Sequence, residues 1–177
     1  MDFLTFDRLS DTDYQSQVYG LLKLCDNEFV PPLSQRTSTT QQTLSEVVSA
    51  RENGPVSYFE VLREQSVIVC MENGCLAGFM SFRAHHICED VGDNVPTIYV
   101  TTVIVDPAYR GKGLTDLMYS KLLQIAKSRE IPVSTRTWST NYAHLRILAR
   151  LGFYELLRIQ DGRGPGIDTV YYRKDRI

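Results

Sequence analysis

The chain has 177 residues, a formal net charge of −2 and 43% hydrophobic residues. This length predicts one domain over residues 1–177 with a sizeable core, and the near-neutral charge argues against a nucleic-acid partner. No apolar run reaches the ~18 residues of a membrane span, and the acidic N-terminal segment lacks the apolar centre of a signal peptide. We therefore expect a cytoplasmic protein with no membrane partner.

The cysteines and histidines do not form a recognisable metal motif. Cys25, Cys70, Cys75 and Cys88 lack the spacing of metal-binding cysteines, so we expect reduced thiols. Two of the three histidines are adjacent in the sequence, which argues against a zinc site. The sequence therefore predicts a protein without a bound metal.

The first third of the chain alternates between apolar and polar segments that predict one strand and several helical pieces. Residues 2–9 predict an edge strand, and residues 14–27 predict a helix that Asp11 or Thr12 caps. The remaining predicted elements are a loop or the start of a helix over 34–43, its helical continuation over 44–51, and one or two helical turns over 57–65.

A β-hairpin follows these helical pieces. Asn73-Gly74 is the strongest two-residue hairpin signal, and it joins predicted strands over 66–71 and 76–83. In this register Cys70 would face Ala77, and Cys75 would face Glu72. Residues 85–96 are acidic and predict a loop.

The stretch 97–115 predicts a strand, a short glycine loop and the start of a helix. Residues 98–105 are apolar and β-branched, as in a buried strand. After Arg110-Gly111-Lys112-Gly113, apolar residues at spacings of three and four predict a helix to about residue 129; they are Leu114, Leu117, Met118, Leu122, Ile125 and Ala126. Exposed N–H groups and the helix dipole make such a loop an anion site, and a pyrophosphate is its natural ligand.

The last third of the chain predicts three strands and one helix. Residues 133–138 predict a strand, and Ser139-Thr140-Asn141 then cap a helix over 142–151 that ends at Gly152. Strands over 153–159 and 167–173 follow. The element order predicts a mixed sheet with helices on both faces.

Two motifs carry a resemblance to a known family. The sequence contains neither GxxxxGK[ST] nor GxGxxG, but Arg110-x-x-Gly113-x-Thr115 resembles the R/Q-x-x-G-x-G/A signature of the GNAT superfamily of acetyl-CoA-dependent N-acyltransferases. Thr115 departs from the usual Gly or Ala, and its side chain would crowd the phosphate. The segment from Asn141 to Phe153 resembles the second GNAT signature. The resemblance covers most of residues 66–173.

The resemblance implies an α/β (α+β) GNAT fold. Its sheet would be mixed and mostly antiparallel, with about six to seven strands, splayed in the middle and flanked by helices. It also implies direct attack of an amine on acetyl-CoA, with the backbone N–H of Val103 as oxyanion donor. The residues that it implies for cofactor binding are Val103, Ile104, Val105, Arg110, Gly111, Lys112, Gly113, Leu114, Thr115 and Asn141.

The sequence offers several candidates for the proton donor and for the general base. Many relatives carry a Tyr seven residues after the Asn of the second signature, but this chain has Leu148, which cannot donate a proton. Tyr142, Ser139 or water would have to replace it. The candidates for the general base are Glu89, Asp90, His85 and His86. We expect His144 at the surface and Trp138 in the core rather than in an acceptor pocket.

Two functions remain open at this point. The first is an acyltransferase that moves an acetyl group from acetyl-CoA to a primary amine of a small molecule or peptide, with an acceptor that the sequence does not identify. The alternative is a CoA-binding sensor or interaction module with little turnover, which Leu148 favours. Either protein would be a monomer or a homodimer.

Overall fold

The computed structural model describes residues 1–45 and 54–175. The elements in these ranges are β1 (Asp2–Phe6), α1 (Gln15–Leu24), α2 (Val56–Leu62), β2 (Ser66–Glu72), β3 (Cys75–Ile87), β4 (Pro96–Val105), α3 (Leu114–Arg129), β5 (Val133–Trp138), α4 (Tyr142–Arg150), β6 (Tyr154–Ile159) and β7 (Thr169–Lys174). The helix predicted over 44–51 lies almost entirely outside the described residues. No helix within the described ranges combines the length and apolar content needed to cross a bilayer.

All seven strands belong to one sheet, in the order β1-β2-β3-β4-β5-β7-β6. Neighbouring strands are antiparallel except for β4 and β5, which run parallel. β1 lies at one edge of the sheet, as its sequence predicts. The mixed, mostly antiparallel sheet with flanking helices confirms the expected fold class.

The helices cover both faces of the sheet. α1 and α2 pack on one face, where Leu22 and Tyr58 join a buried cluster with Phe79 of β3. α3 and α4 pack on the other face, against a cluster that includes Met118 and Val100. Because strand residues alternate between the two faces, β2 contributes Val67 and Val69 to the first cluster and Ile68 to the second.

A β-bulge in β4 changes this alternation at one position. Ser81 of β3 pairs with Thr102 and Phe82 pairs with Val100, so Thr101 is an extra residue in β4. Val100 and Val103 therefore pack on the same face of the sheet, although they are three positions apart and only two residues lie between them. The bulge lies where β4 begins to leave β5.

The parallel strands β4 and β5 pair only over a short distance. Their register runs from Ile98 opposite Val133 to Val100 opposite Thr135, although the strands are 10 and 6 residues long. Beyond Val100 and Thr135 the two strands separate, and both line a cavity. The expected splay in the middle of the sheet is confirmed.

The N-terminal half of the sheet differs from its prediction in two places. β3 continues through His85 and His86 to Ile87, because the strand pairs with the start of β4 instead of becoming a loop. A register shift between Cys70 and Met71 places Cys70 opposite Gly78 rather than Ala77. Cys75 faces Glu72 as expected.

The apolar face of α3 also differs at one residue. Leu117 is 46% exposed, so the prediction that it faces the core was wrong. Tyr119 is fully buried instead. At about 100° per residue, Tyr119 lies next to the buried row formed by Leu114, Met118, Leu122 and Ala126, and Leu117 lies outside it.

Candidate active site

A cavity of about 500 Å³ lies where β4 and β5 separate. Its walls come from both strands, the segment after α1, the loop before α3, and α4. Phe29 and Ile147, which pack in the cores on opposite faces of the sheet, both line it. The cavity therefore reaches both faces through the gap between the strands.

The glycine loop forms one end of this cavity. Gly111 and Gly113 have φ values of +78° and +73°, in the left-handed region that side chains disfavour. Gly113 is the N-cap of α3 and offers no side-chain cap to the first N–H groups of the helix, which have no intrahelical partner. A Cβ at either glycine would meet no atom within 4 Å. The loop thus presents free donors to open space, as an anion site requires.

The residues on either side of Gly113 differ in their access to the cavity. Leu114 and Thr115, which the resemblance assigns to the cofactor site, both line it. Lys112 lies outside the lining, and its ammonium is 3.5 Å from the Glu72 carboxylate of the β2–β3 hairpin. The side chain of Lys112 is therefore directed toward the hairpin.

Arg110 ties the glycine loop to the segment after α1. Its Nη2 donates to both carboxylate oxygens of Glu28, at 2.9 and 2.8 Å, and its Nε donates to the carbonyl oxygen of Val105 at 3.1 Å. This pairing neutralises Glu28 at the cavity wall. The hydrogen bond from Arg110 Nε occupies the Val105 carbonyl. The backbone group of Val105 that remains for a ligand is therefore its N–H.

Cys25 borders the cavity beside this ion pair. Burial raises the pKa of its thiol, and Glu28 raises it further, against the lowering effect of Arg110. The thiol therefore stays protonated near neutral pH, which makes it a poor nucleophile. Cys25, Cys70, Cys75 and Cys88 are all free thiols, and no metal-binding cluster occurs among the described residues.

The open edge of β4 directs alternate backbone groups into the cavity. Asp106 donates its N–H to the carbonyl of Ala77 in β3 at 3.0 Å. Since successive residues of a strand point their backbone groups to opposite sides, Ile104 also faces β3. Val103 and Val105 then direct their N–H groups toward the gap. Val103 is thus presented as an oxyanion donor requires, while Ile104 keeps its backbone in the sheet.

Asn141 caps α4 and also lines the cavity. Its Oδ1 accepts the N–H of His144 at 3.4 Å, and its Nδ2 donates to the hydroxyl of Thr137 at 3.1 Å. An amide side chain has two donor hydrogens and two acceptor lone pairs, so half of its capacity is left for a ligand.

A tyrosine and a histidine meet at the wall formed by α3 and α4. The hydroxyl of Tyr119 lies 2.8 Å from Nε2 of His144, which lines the cavity. The expectation that His144 lies at the surface was wrong, because the side of α4 that carries His144 packs against α3. Burial lowers the pKa of His144 to about 4, so its imidazole is neutral at pH 7. Burial also raises the pKa of Tyr119.

The His144→Gln substitution should reduce the loss of stability in mild acid. Between a pKa of about 4 in the folded state and 6.5 in the unfolded state, only the unfolded chain binds the proton, so His144 lowers stability as the pH falls. We expect the wild-type free energy of unfolding to drop by about 2 kcal/mol from this residue between pH 7 and pH 5. Urea unfolding at both pH values measures this drop.

The matched control for this experiment is His85→Gln. His85 is exposed in the last part of β3, so its removal should keep the wild-type pH dependence. If the unfolding free energies of wild type and His144→Gln stay parallel from pH 7 to pH 5, burial does not depress the pKa of His144.

Two residues predicted as catalytic lie outside the cavity lining. Glu89 lies just after the end of β3 at Ile87, and its exposed carboxylate accepts a hydrogen bond from Gln42 at 3.1 Å. Tyr142 is 64% exposed at the start of α4. Neither side chain is brought to the point where β4 and β5 separate.

The other candidates for the general base also lie outside the cavity lining. His85 is exposed, and the ring of His86 lies 4.7 Å from that of Tyr99. Asp90 accepts a hydrogen bond from the hydroxyl of Tyr171. The segment from the end of β3 to β4 therefore places none of these groups where β4 and β5 separate.

Two other residues have clear positions relative to the cavity. Leu148 is fully buried in the core between α4 and the sheet and does not line the cavity, so no tyrosine-like donor could reach it from this position without repacking. Trp138 does line the cavity, with its ring 5.7 Å from that of Phe29. The expectation that Trp138 belongs to the core rather than to a pocket was wrong.

Comparisons with known proteins agree with this geometry. A family model described as the acetyltransferase (GNAT) family matches residues 34–153, and no curated protein matches the chain. An N-acetyltransferase from Staphylococcus aureus Mu50 superposes with a TM-score of 0.64 at 15% identity, over 99% of each chain.

Two further solved structures share the fold. The yncA protein from Salmonella typhimurium, solved with its cofactor acetyl-CoA, gives a TM-score of 0.65 at 18% identity, over 97% of this chain and 92% of that one. An aminoglycoside 6'-acetyltransferase type Ii gives 0.68 at 13% identity, over 98% and 96%. These TM-scores show a common fold, and the family model covers more than half of the sequence. The chain belongs to the acetyltransferase (GNAT) family.

Proposed function

We propose that this protein transfers an acetyl group from acetyl-CoA to a primary amine of a small molecule or peptide by direct attack. Family membership supports acyl transfer in general. The observation that carries the proposal is one continuous cavity, which has the Val103 edge of β4 in its middle and the uncapped N-terminus of α3 at one end. That arrangement suits a long anionic thioester.

The residues present fit acetyl-CoA from its diphosphate to its thioester. The N–H groups of residues 110–115 would hold the diphosphate at the start of α3, where the helix dipole favours negative charge. The backbone of residues 103–105 and the side chain of Asn141 would hold the pantetheine arm in the gap. The acetyl group would then lie near Val103, where β4 and β5 part.

The proposed chemistry needs a donor for the oxyanion and no nucleophilic side chain. The amine nitrogen bonds to the thioester carbon, the C–S bond breaks, and the nitrogen loses a proton to water or to the departing sulfur. The Val103 N–H would stabilise the negative charge that develops on the thioester oxygen. Cys25 keeps its proton, which agrees with direct attack.

The proposed mechanism uses neither Glu89 nor Tyr142, because neither lines the cavity. The lining carboxylates are also unsuited to act as a base: Glu28 pairs with Arg110 at 2.8 Å, and Asp116 pairs with Arg150 at 2.5 Å. His144 also borders the cavity, and its imidazole is neutral at pH 7. Its imidazole can donate or accept one hydrogen bond besides that with Tyr119.

The test is to incubate the protein with acetyl-CoA and a panel of primary amines, and to quantify CoA and N-acetylated product by chromatography and mass spectrometry. We expect equal amounts of both. The alternative is a CoA-binding sensor, which the burial of Leu148 at the usual tyrosine position favours. A sensor would bind acetyl-CoA but release no CoA with any amine. The single-domain organisation, the cytoplasmic location and the monomeric or homodimeric state remain predictions.

A further inference from the structure

Three arginines gather on the α1/α2 side of the cavity. Arg36 and Arg163 are each only 6% exposed, and Arg136 of β5 lines the cavity itself. Arg36 and Arg163 both donate to the carbonyl of Val30. Burial lowers the pKa of Arg163, and the charges of Arg36 and Arg136 lower it further. Burial likewise lowers the pKa of Arg36 to about 10. This side of the cavity therefore carries a concentrated positive charge.

Two of these arginines are used by the fold. Arg36 donates to the carbonyls of Val30 and Pro31, at 3.2 and 2.9 Å, and Arg163 donates to Val30 and to the Thr169 hydroxyl, at 2.7 and 3.1 Å. These partners are neutral, so they satisfy the hydrogen bonds without removing the charge. The guanidinium groups also stack on aromatic rings, which keep water away: Phe29 at 5.6 Å from Arg36 and Trp138 at 5.7 Å from Arg163.

Arg136 is bonded much less completely than Arg36 and Arg163. Among the described residues, its one hydrogen bond is to the Tyr171 hydroxyl, at 3.3 Å, and Tyr171 in turn donates to the Asp90 carboxylate. No described carboxylate forms an ion pair with any of the three arginines. Asp90 thus offsets one of three charges, through an intervening hydroxyl.

Arg136 lies at the point where β4 and β5 separate. It is the first residue of β5 after Thr135, where the pairing with β4 ends. Side-chain alternation places it on the face opposite Thr135, and therefore on the α1/α2 side of the gap. The other lining arginines, Arg110 and Arg150, are each paired with a carboxylate. Within the described lining, Arg136 is the cation that remains for a ligand.

We propose that the acceptor is a small amine that carries its own carboxylate, as an amino acid does, and that Arg136 binds that carboxylate. This inference rests on the proposed acetyl transfer. A guanidinium group binds a carboxylate through two parallel hydrogen bonds, which fixes the orientation of the molecule as well as its position. With its carboxylate on Arg136, the acceptor directs its amine toward the gap beside Val103.

The positive charge of the three arginines also explains how the amine can lose its proton without a general base. A cation near an ammonium group disfavours the charged form, so the arginine cluster lowers the pKa of the bound amine. The acceptor carboxylate offsets the cost of entering this positive region, and the amine then reaches the thioester in its reactive neutral form. Polyamines and aminoglycosides, which bring several positive charges, are expected to be poor acceptors.

The experiment compares free L-amino acids with their C-terminal amides as acceptors for acetyl-CoA. The amide has the same amine without the carboxylate, and its amine is less basic, so basicity alone would favour the amide. For the best amino acid we expect kcat/KM to exceed that of its amide by about 10- to 100-fold, the range of a charge-assisted hydrogen bond. Equal use of acids and amides by the wild type would overturn the proposal.

Variants at Arg136 then connect this preference to the residue. Arg136→Gln should lower kcat/KM for the acid by a similar factor and leave that for the amide nearly unchanged, whereas Arg136→Lys should recover part of the preference. Arg150→Gln is the matched control, since it removes a lining arginine already paired with Asp116 and should keep the acid-to-amide ratio. Equal losses for acid and amide in Arg136→Gln, or a loss confined to the KM of acetyl-CoA, would assign the residue another role.

A binding measurement separates failure of this inference from failure of the proposed function. If no amine releases CoA, calorimetry with N-acetyl amino acids and with their amides still reports on the carboxylate site. If in that case only the acids bind, and their binding is lost in Arg136→Gln, the carboxylate site is supported and acetyl transfer is refuted. Turnover with neutral amines as good as with amino acids would retain the transferase and refute the anion site.

Discussion

The Gly113→Val substitution should abolish acetyl-CoA binding while the protein stays folded. Gly113 has a φ of +73° at the N-cap of α3, and the space beside its Cα is open cavity. A valine would place its branched side chain where a diphosphate must approach the first N–H groups of the helix. Titration calorimetry with acetyl-CoA measures the loss directly, and thermal unfolding should no longer respond to the ligand.

The size of this effect can be stated in advance. A ligand at 100 times its dissociation constant stabilises a folded protein by about 2.7 kcal/mol, and this increment should disappear in Gly113→Val. The valine also costs about 1–2 kcal/mol of intrinsic stability, because L-residues disfavour the left-handed conformation. The second effect occurs without ligand and must be measured separately.

Gly74→Val is the control for the backbone cost. Gly74 has a φ of +79° in the β2–β3 hairpin, also with no atom within 4 Å of an added Cβ, and it does not line the cavity. It should lose comparable intrinsic stability and keep the response to acetyl-CoA. Wild-type affinity in Gly113→Val would mean that the diphosphate binds elsewhere.

The architecture of this protein could be predicted from local sequence signals. The strand, glycine loop and helix around Gly113 lie together in the chain, so apolar periodicity and turn residues define them without knowledge of distant contacts. The same holds for Asn141, which caps a helix that begins at the next residue. The edge position of β1 and the hairpin at Asn73-Gly74 follow from equally local patterns.

The arginine cluster beside the cavity could not be predicted in this way. Arg36, Arg136 and Arg163 come from a loop, a strand and a turn that are distant in the sequence. The order of β5, β7 and β6 brings Arg136 near the β6–β7 turn, and Arg163 meets Arg36 at the carbonyl of Val30. A single arginine in a sequence ordinarily indicates a solvated surface. The Tyr119–His144 contact is hidden for the same reason, because it joins two helices that meet only after both pack on the sheet.

An ester in place of the peptide amide between Thr102 and Val103 removes the Val103 N–H. This change should reduce kcat by about 10²- to 10³-fold, the range measured when one oxyanion donor is removed. Incorporation of the α-hydroxy analogue of valine replaces N–H by oxygen and leaves the side chain unchanged. Because the Val103 N–H faces the gap rather than β3, no hydrogen bond of the sheet is lost. Acetyl-CoA should therefore still bind, and the free energy of unfolding should change little.

The same replacement at Ile104 provides the opposite pattern. The Ile104 N–H faces β3, so its removal costs one ladder hydrogen bond, about 1 kcal/mol of stability. Since this group does not meet the thioester, kcat should stay within a few-fold of wild type. The two esters thus exchange effects: position 103 loses rate and keeps stability, and position 104 loses stability and keeps rate. A wild-type kcat for the ester at 103 would show that another group stabilises the oxyanion.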